Sequence, residues 1–213
     1  MRISTILLIG VTLALAPAAG AQSVGGKAYG AFVRTPLGTQ QSAVAVLPPV
    51  TAVDGAMADG DADGVSVPGT ITTDALTGTT SGSIGDAAAA QSVATVFNVN
   101  LLNGLITASS LTATVSSTSN GAQATSSALG STLADLVVNG VQLTSGDASI
   151  APNTRVTLPG VGYVVLNEQL PTGDGVRTTG LTVNLIHVVL QNDLTGLQTG
   201  ELIIGSATSS AAM

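Results

Sequence analysis

The apolar residues of this chain come in short runs broken by turn residues, and nowhere do they keep a helical period. Leu111, Ala113 and Val115 alternate strictly with Thr112, Thr114 and Ser116, the two-residue period of a strand with one buried face. NVNLLNGLITA and ADLVVNGVQLT each set Asn-Gly between apolar stretches, at Asn103-Gly104 and Asn139-Gly140. Both residue types tolerate positive φ, so the pair suits a hairpin turn. Further strands are expected at 27–35, 154–158, 161–170, 180–190 and 200–206, with Gly and Pro between them. Many short strands with turn signals roughly every 8–12 residues predict an all-β fold, an antiparallel β-sandwich. A β-solenoid or a barrel-like closure is the alternative, although no fixed repeat period supports a solenoid.

The N-terminus reads MRISTILLIGVTLALAPAAGAQS. Arg2, the apolar run Ile6 to Ala16 and the small-x-small site Ala19-Gly20-Ala21 predict a secretory signal peptide over 1–21. No cysteine follows the run, which excludes a lipid-anchored N-terminus, and no later stretch reaches the ~20 apolar residues of a membrane span. The remainder is expected to form one sandwich domain over 22–208, followed by a disordered tail at 209–213. Within it, the Asp/Gly/Ala-rich 51–66 reads as a long surface loop, and 86–94 (DAAAAQSVA) as a loop or edge strand. The Ser/Ala/Gly-rich half of LTATVSSTSNGAQATSSALGS is expected to be exposed.

Charge narrows the possible partners. Charged residues are 8% of the chain, and without Arg2 only Lys27, Arg34, Arg155 and Arg177 face twelve acidic residues. Such a surface does not track a phosphate backbone, which excludes nucleic acid, and it offers no basic patch to an anionic membrane. A hydrophobic content of 45% still supplies a packed core without disulfides.

Four groups of residues are candidates for chemistry. Glu168 and the sole histidine, His187, lie on the two strands flanking PTGDGVRTTG. A hairpin centred near Gly175 sets Glu168 opposite Val183 and His187 opposite Val164. Four residues of separation is roughly 13 Å, too far for proton transfer. The pair then reads as an imidazole hydrogen-bonded on a sheet and a solvated glutamate, so no catalytic residues and no enzyme are expected. No G-x-S-x-G elbow or phosphate loop appears, and one histidine without cysteine cannot make the usual zinc site. Asp59, Asp61 and Asp63 are spaced like positions 1, 3 and 5 of a calcium loop, with Gly64 at the turn. Thr70 stands where the bidentate glutamate belongs, so any calcium site here would be weak, and an acidic surface loop explains the same letters. Glycan binding is a further possibility, limited by four aromatics in the mature chain and no tryptophan. Asn98, Asn100, Asn167 and Asn184 stand inside apolar runs, as cross-strand or turn hydrogen-bonders or as part of a ligand site.

The order of several stretches carries a resemblance: AYGAFV, LPPV, VPGTITTDALTGTTSGSIG, VNLLNGLITASSLTATV, LVVNGVQL, VGYVVLNEQLP, GLTVNLIHVVL and GELIIGSA. Together they resemble the choice-of-anchor P family of bacterial secreted proteins, most closely at Leu166-Asn167-Glu168-Gln169 and Val183-Asn184-Leu185-Ile186-His187-Val188. The resemblance spans nearly the whole mature chain. It implies an extracellular, mostly β domain without an established catalytic role, hence a structural or adhesive module at or near the cell envelope with an unknown partner. Family members carry one of several C-terminal sorting signals. This chain ends GSATSSAAM without a sorting motif, apolar span or basic tail, so surface attachment stays open while release or periplasmic retention is favoured.

Overall fold

The computed structural model describes residues 22–36, 38–50 and 55–213. The expected signal peptide lies outside the described residues. Strands run in chain order as β1 (Ser23–Thr35), β2 (Gly38–Ser42), β3 (Ala45–Val46), β4 (Ala56–Ala62), β5 (Val65–Val67) and β6 (Ile71–Thr73). Next come β7 (Leu76–Ser83), β8 (Ala88–Leu101), β9 (Ile106–Ser119), β10 (Ala124–Ser127), β11 (Thr132–Ala134) and β12 (Val137–Val138). The last are β13 (Val141–Gln142), β14 (Asp147–Ala148), β15 (Thr154–Leu158), β16 (Gly162–Gly173), β17 (Thr178–Gln191) and β18 (Gln198–Ala212).

They form two antiparallel sheets packed face to face, with no helix among the described residues. The first sheet has the order β15-β16-β17-β18-β1-β2, with β3 also on β1. The second is built on β13-β12-β9-β8-β6-β5, with β7 on β8, β4 on β7, β10 and β11 on β9, and β14 on β11. The expected all-β sandwich is what forms; neither sheet closes into a barrel.

Local chemistry accounts for the hairpins. Val138 pairs with Val141, so Asn139 (φ 52°) and Gly140 (φ 76°) make a two-residue turn with both φ positive. Asn103-Gly104 lies in a four-residue connection between Leu101 and Ile106. Its Gly104 N–H donates to Asn100 Oδ1 at 2.8 Å. The β16–β17 hairpin turns on Asp174, whose Oδ1 accepts the N–H groups of Val176, Arg177 and Thr178 at 2.8–2.9 Å. Those donors, led by Thr178, hold its carboxyl far below the usual range.

Between the sheets the core has two textures. One end is aliphatic, with Leu76, Leu101, Ile106, Leu111, Ile186 and Leu202 fully buried. The other end is Ala, Gly, Ser and Thr. There the sheets approach so closely that a Cβ on Gly26 would lie 1.9 Å from Thr80 Oγ1. Hydroxyls bridge this gap: Ser117 Oγ lies 2.7 Å from Ser209 Oγ, and Ser92 Oγ–H donates to the Thr208 carbonyl at 2.7 Å.

This second texture corrects three expectations. Residues 86–94 are not a loop or edge strand: Ala88 opens β8, which pairs with β7, β6 and β9. Residues 209–213 are not a disordered tail: Ser209 to Ala212 continue β18, paired with β1 on one side and β17 on the other. Ser117 and Ser119 are buried, not exposed. The reason is the same each time, because only small side chains fit the narrow gap and their hydroxyls find partners within it. A fourth correction concerns 51–66. Residues 51–54 lie outside the described residues, but Ala56–Ala62 form β4 against β7 rather than a loop.

Candidate functional site

In a regular strand, residues three apart point to opposite faces. The first sheet breaks that rule along one transverse line. Asn167 on β16 has φ 49° and Gly205 on β18 has φ 66°. The pairing skips Asn167 and Leu185 between Leu166–Ile186 and Glu168–Asn184, and skips Gly205 and Gly30 between Ser206–Tyr29 and Ile204–Ala31. Buried positions change phase there, from Ile204 and Leu202 to Ala207 and Ser209 on β18. The side Asn167 amide anchors the line, its Nδ2–H donating to the Ile150 carbonyl at 2.6 Å.

The crease gathers the chain's few reactive groups on the outer face of this sheet. Three rows cross the strands. Tyr29, Ser206, Asn184 and Glu168 form one. Phe32, Ile203, His187, Val165 and Arg155 form the next. Arg34, Glu201, Val189, Tyr163 and Thr157 form the third. Both glutamates and the only histidine of the chain therefore share one surface with three of its four aromatics.

His187 is the centre of the cluster. Its Nδ1 lies 2.9 Å from Glu168 Oε2, and its Nε2 lies 3.6 Å from Glu201 Oε2. The ring and both carboxylates are mostly buried, each side chain keeping 16–18% of its exposure. Asn184 Nδ2–H donates to the same Glu168 oxygen at 2.7 Å, and Ser206 Oγ–H donates to Asn184 Oδ1 at 2.7 Å. Arg34 Nη2 meets Glu201 Oε1 at 3.1 Å. Burial opposes charge on the imidazole, but Glu168 and Glu201 outweigh it and raise its pKa above 6.5. The His187 hydrogen bond, with help from Asn184, lowers Glu168 against the opposing effect of burial. Burial also raises the Tyr29 phenol, against the Ser206 hydroxyl beside it.

The expected separation of Glu168 and His187 is thus corrected. The hairpin itself forms, but its register differs by one residue, with Val165 opposite His187 and Asn184 opposite Glu168. That leaves three residues between the two side chains. The left-handed Asn167 then turns both to one face, and about 13 Å becomes 2.9 Å. Glu201, Arg34 and Tyr29 were not singled out from the sequence. The available signal was Glu201 standing two residues before Ile203 in an alternating stretch, on the face of Ile203 rather than of Leu202.

The remaining candidates do not join this cluster. Asp59 and Asp61 lie on extended β4, opposite Thr79 and Thr77, and Asp63 lies just past its end. All three are exposed. Carboxylates in a row along a strand do not wrap a cation as a calcium loop does. Among the described residues no group of three or more His, Cys, Asp or Glu side chains converges on a metal position. Asn98 (φ 50°) is a second left-handed residue within a strand, its Nδ2–H donating to Asp74 Oδ2 at 2.5 Å. Asn100 caps the β8–β9 connection.

No protein-family model matches the chain, and neither a curated protein nor a solved structure does.

Proposed function

We propose that this chain is a secreted, non-catalytic β-sandwich serving as a structural or adhesive module at or near the bacterial cell envelope, of the choice-of-anchor P kind. The observation that carries the non-catalytic reading is the environment of His187, where Nδ1 is hydrogen-bonded to Glu168 and the buried Nε2, without a hydrogen-bond partner among the described residues, lies 3.6 Å from Glu201. A nucleophilic triad needs one of those nitrogens turned to a hydroxyl. The nearby Ser206 hydroxyl instead donates to Asn184. A glycosidase pair needs an acid with a raised pKa, whereas Glu168 is lowered and the imidazole stands between the two carboxylates. With Arg34 on Glu201, the cluster behaves as a charge-paired brace across four strands.

A glycan-binding reading gains three aromatics on one face, but two of the rings have a cation over them. Lys27 Nζ lies 5.2 Å from the Tyr29 ring centre, and the Arg155 guanidinium lies 3.6 Å from that of Tyr163. Two measurements test the proposal. Fractionation of native cells is expected to recover the chain from medium, surface or periplasm, and recovery from the cytoplasm overturns the envelope role. Purified protein is expected to turn over no ester, peptide or glycoside substrate. An activity that His187→Ala abolishes without unfolding overturns the non-catalytic role.

A further inference from the structure

The two outer faces of the sandwich differ in charge. Residues 55–148, which build the second sheet, carry seven aspartates and no lysine, arginine, histidine or glutamate. Among the described residues none of these aspartates meets a cationic side chain. The outer face of the first sheet carries Lys27, Arg34 and Arg155 together with His187, Glu168 and Glu201, among the aromatic and aliphatic rows. Arg34 is neutralised by Glu201. Among the described residues Lys27 meets the Gln41 amide and the Tyr29 ring, Arg155 lies over Tyr163, and neither meets a carboxylate.

Each face also exposes apolar side chains beside its charges. Val46 pairs with Lys27 on the first sheet and is 57% exposed. On the second sheet Met57, 70% exposed, lies two residues before Asp59 on the same side of β4. The acidic face is also broad and regular, with Asp61, Thr77, Thr95, Thr112 and Thr132 forming one row across five strands.

We infer that copies of this chain stack head to tail, the Lys27/Arg155 face of one copy docking on the Asp59/Asp61 face of the next. The inference deepens the structural-module reading and rests on it. The partner is a second copy because the chain itself supplies the complementary charge and apolar contacts. The two faces lie on opposite sides of the sandwich, so the contact is heterologous and leaves a free face at each end. Such contacts build open filaments rather than closed dimers.

Sedimentation velocity on the purified chain from Gln22 onward tests this. At low ionic strength the sedimentation coefficient is expected to keep rising with concentration. In about 1 M salt, where the Debye length falls to about 3 Å, it is expected to return to the monomer value. Charge exchange identifies the faces. Lys27→Glu with Arg155→Glu makes both faces acidic, and Asp59→Lys with Asp61→Lys reverses the charge of the β4 patch of the acidic face. Each double variant alone is expected to remain monomeric, and an equimolar mixture to assemble again. Restored assembly also shows that both variants are folded. A native chain that is monomeric at every concentration overturns the inference, as does one that stops at a dimer or a mixture that fails to assemble. A strictly monomeric protein recovered from the envelope would sink the stacking while leaving the structural-module reading intact.

Discussion

The two ends of the sandwich interior solve the same packing problem with different chemistry. At the aliphatic end, Leu101, Leu111, Ile186 and Leu202 remove large apolar surfaces from water and hold the sheets apart by their bulk. At the other end, Ser209 of β18 meets Ser117 of β9 across a gap too narrow for such side chains, with Ala88, Ala90, Ala207 and Ala211 buried nearby in the two sheets. Stability there comes from close backbone approach and from hydroxyls that satisfy one another. The chain Thr179–Ser126–Ser117–Ser209 runs through contacts of 2.7, 2.8 and 2.7 Å. Composition alone thus undervalues the small-residue end, whose loss damages the fold through connectivity as well as burial.

The largest effect is expected from removing that end. Deleting Ala207–Met213 takes away the stretch of β18 that joins β1 to β17 in the middle of the first sheet. Cooperative thermal melting by circular dichroism is expected to disappear. A variant that melts like the full chain would show that the aliphatic end suffices alone.

Single substitutions sharpen the contrast. Leu111→Ala is expected to cost about 3 kcal/mol in urea unfolding, the transfer energy of the lost methyl groups plus the cavity they leave. Ser117→Ala is expected to cost about 1–2 kcal/mol, because it strands the buried Ser209 hydroxyl, while Ser126 keeps Thr179 as a partner. Adding Ser209→Ala is then expected to cost less than the sum of the two single changes, since the stranded partner is gone. An additive double variant would mean that the Ser117–Ser209 contact contributes nothing to coupling.

The same division decides what was legible in the sequence. Thr154–Leu158 and the Asn139-Gly140 turn were legible because β-branched alternation and positive-φ residues act locally. Ala88–Ala90 and Ser209–Ala212 were not, because alanine and serine carry little contrast between core and solvent faces. Their place is set by strands far away in the chain. In β4 a period of two was present, with Met57, Asp59 and Asp61 exposed against half-buried Ala58, Gly60 and Ala62, but glycine and aspartate resemble loop composition. The His187 cluster depended on one residue of register and one left-handed asparagine. Asn167 stood out in the sequence as a polar residue inside an apolar run, yet its phase-shifting role depends on its backbone angle.

The smallest effect separates the uncharged seam from the charged brace outside it. The Ser/Thr hydroxyls of the small-residue end do not titrate between pH 4 and 8.5, so pH dependence there falls to the carboxylates and His187. Folding raises the His187 pKa, so its contribution is complete below the unfolded value of 6.5 and is lost as pH rises through the folded value. Folding lowers Glu168, so its contribution is present above the unfolded value of 4.5 and is lost as pH falls through the folded value. The lowered Asp135 and Asp174 add to the same acid limb. The melting temperature is therefore expected to peak between the two unfolded values and to decline on either side. His187→Gln removes the proton that Glu168 and Glu201 stabilise, so it is expected to flatten the alkaline decline and to shrink the Glu168 part of the acid limb, leaving the part due to Asp135 and Asp174. Melting curves of both proteins from about pH 2 to 8.5 check this, and an alkaline decline that survives His187→Gln would trace it to another group.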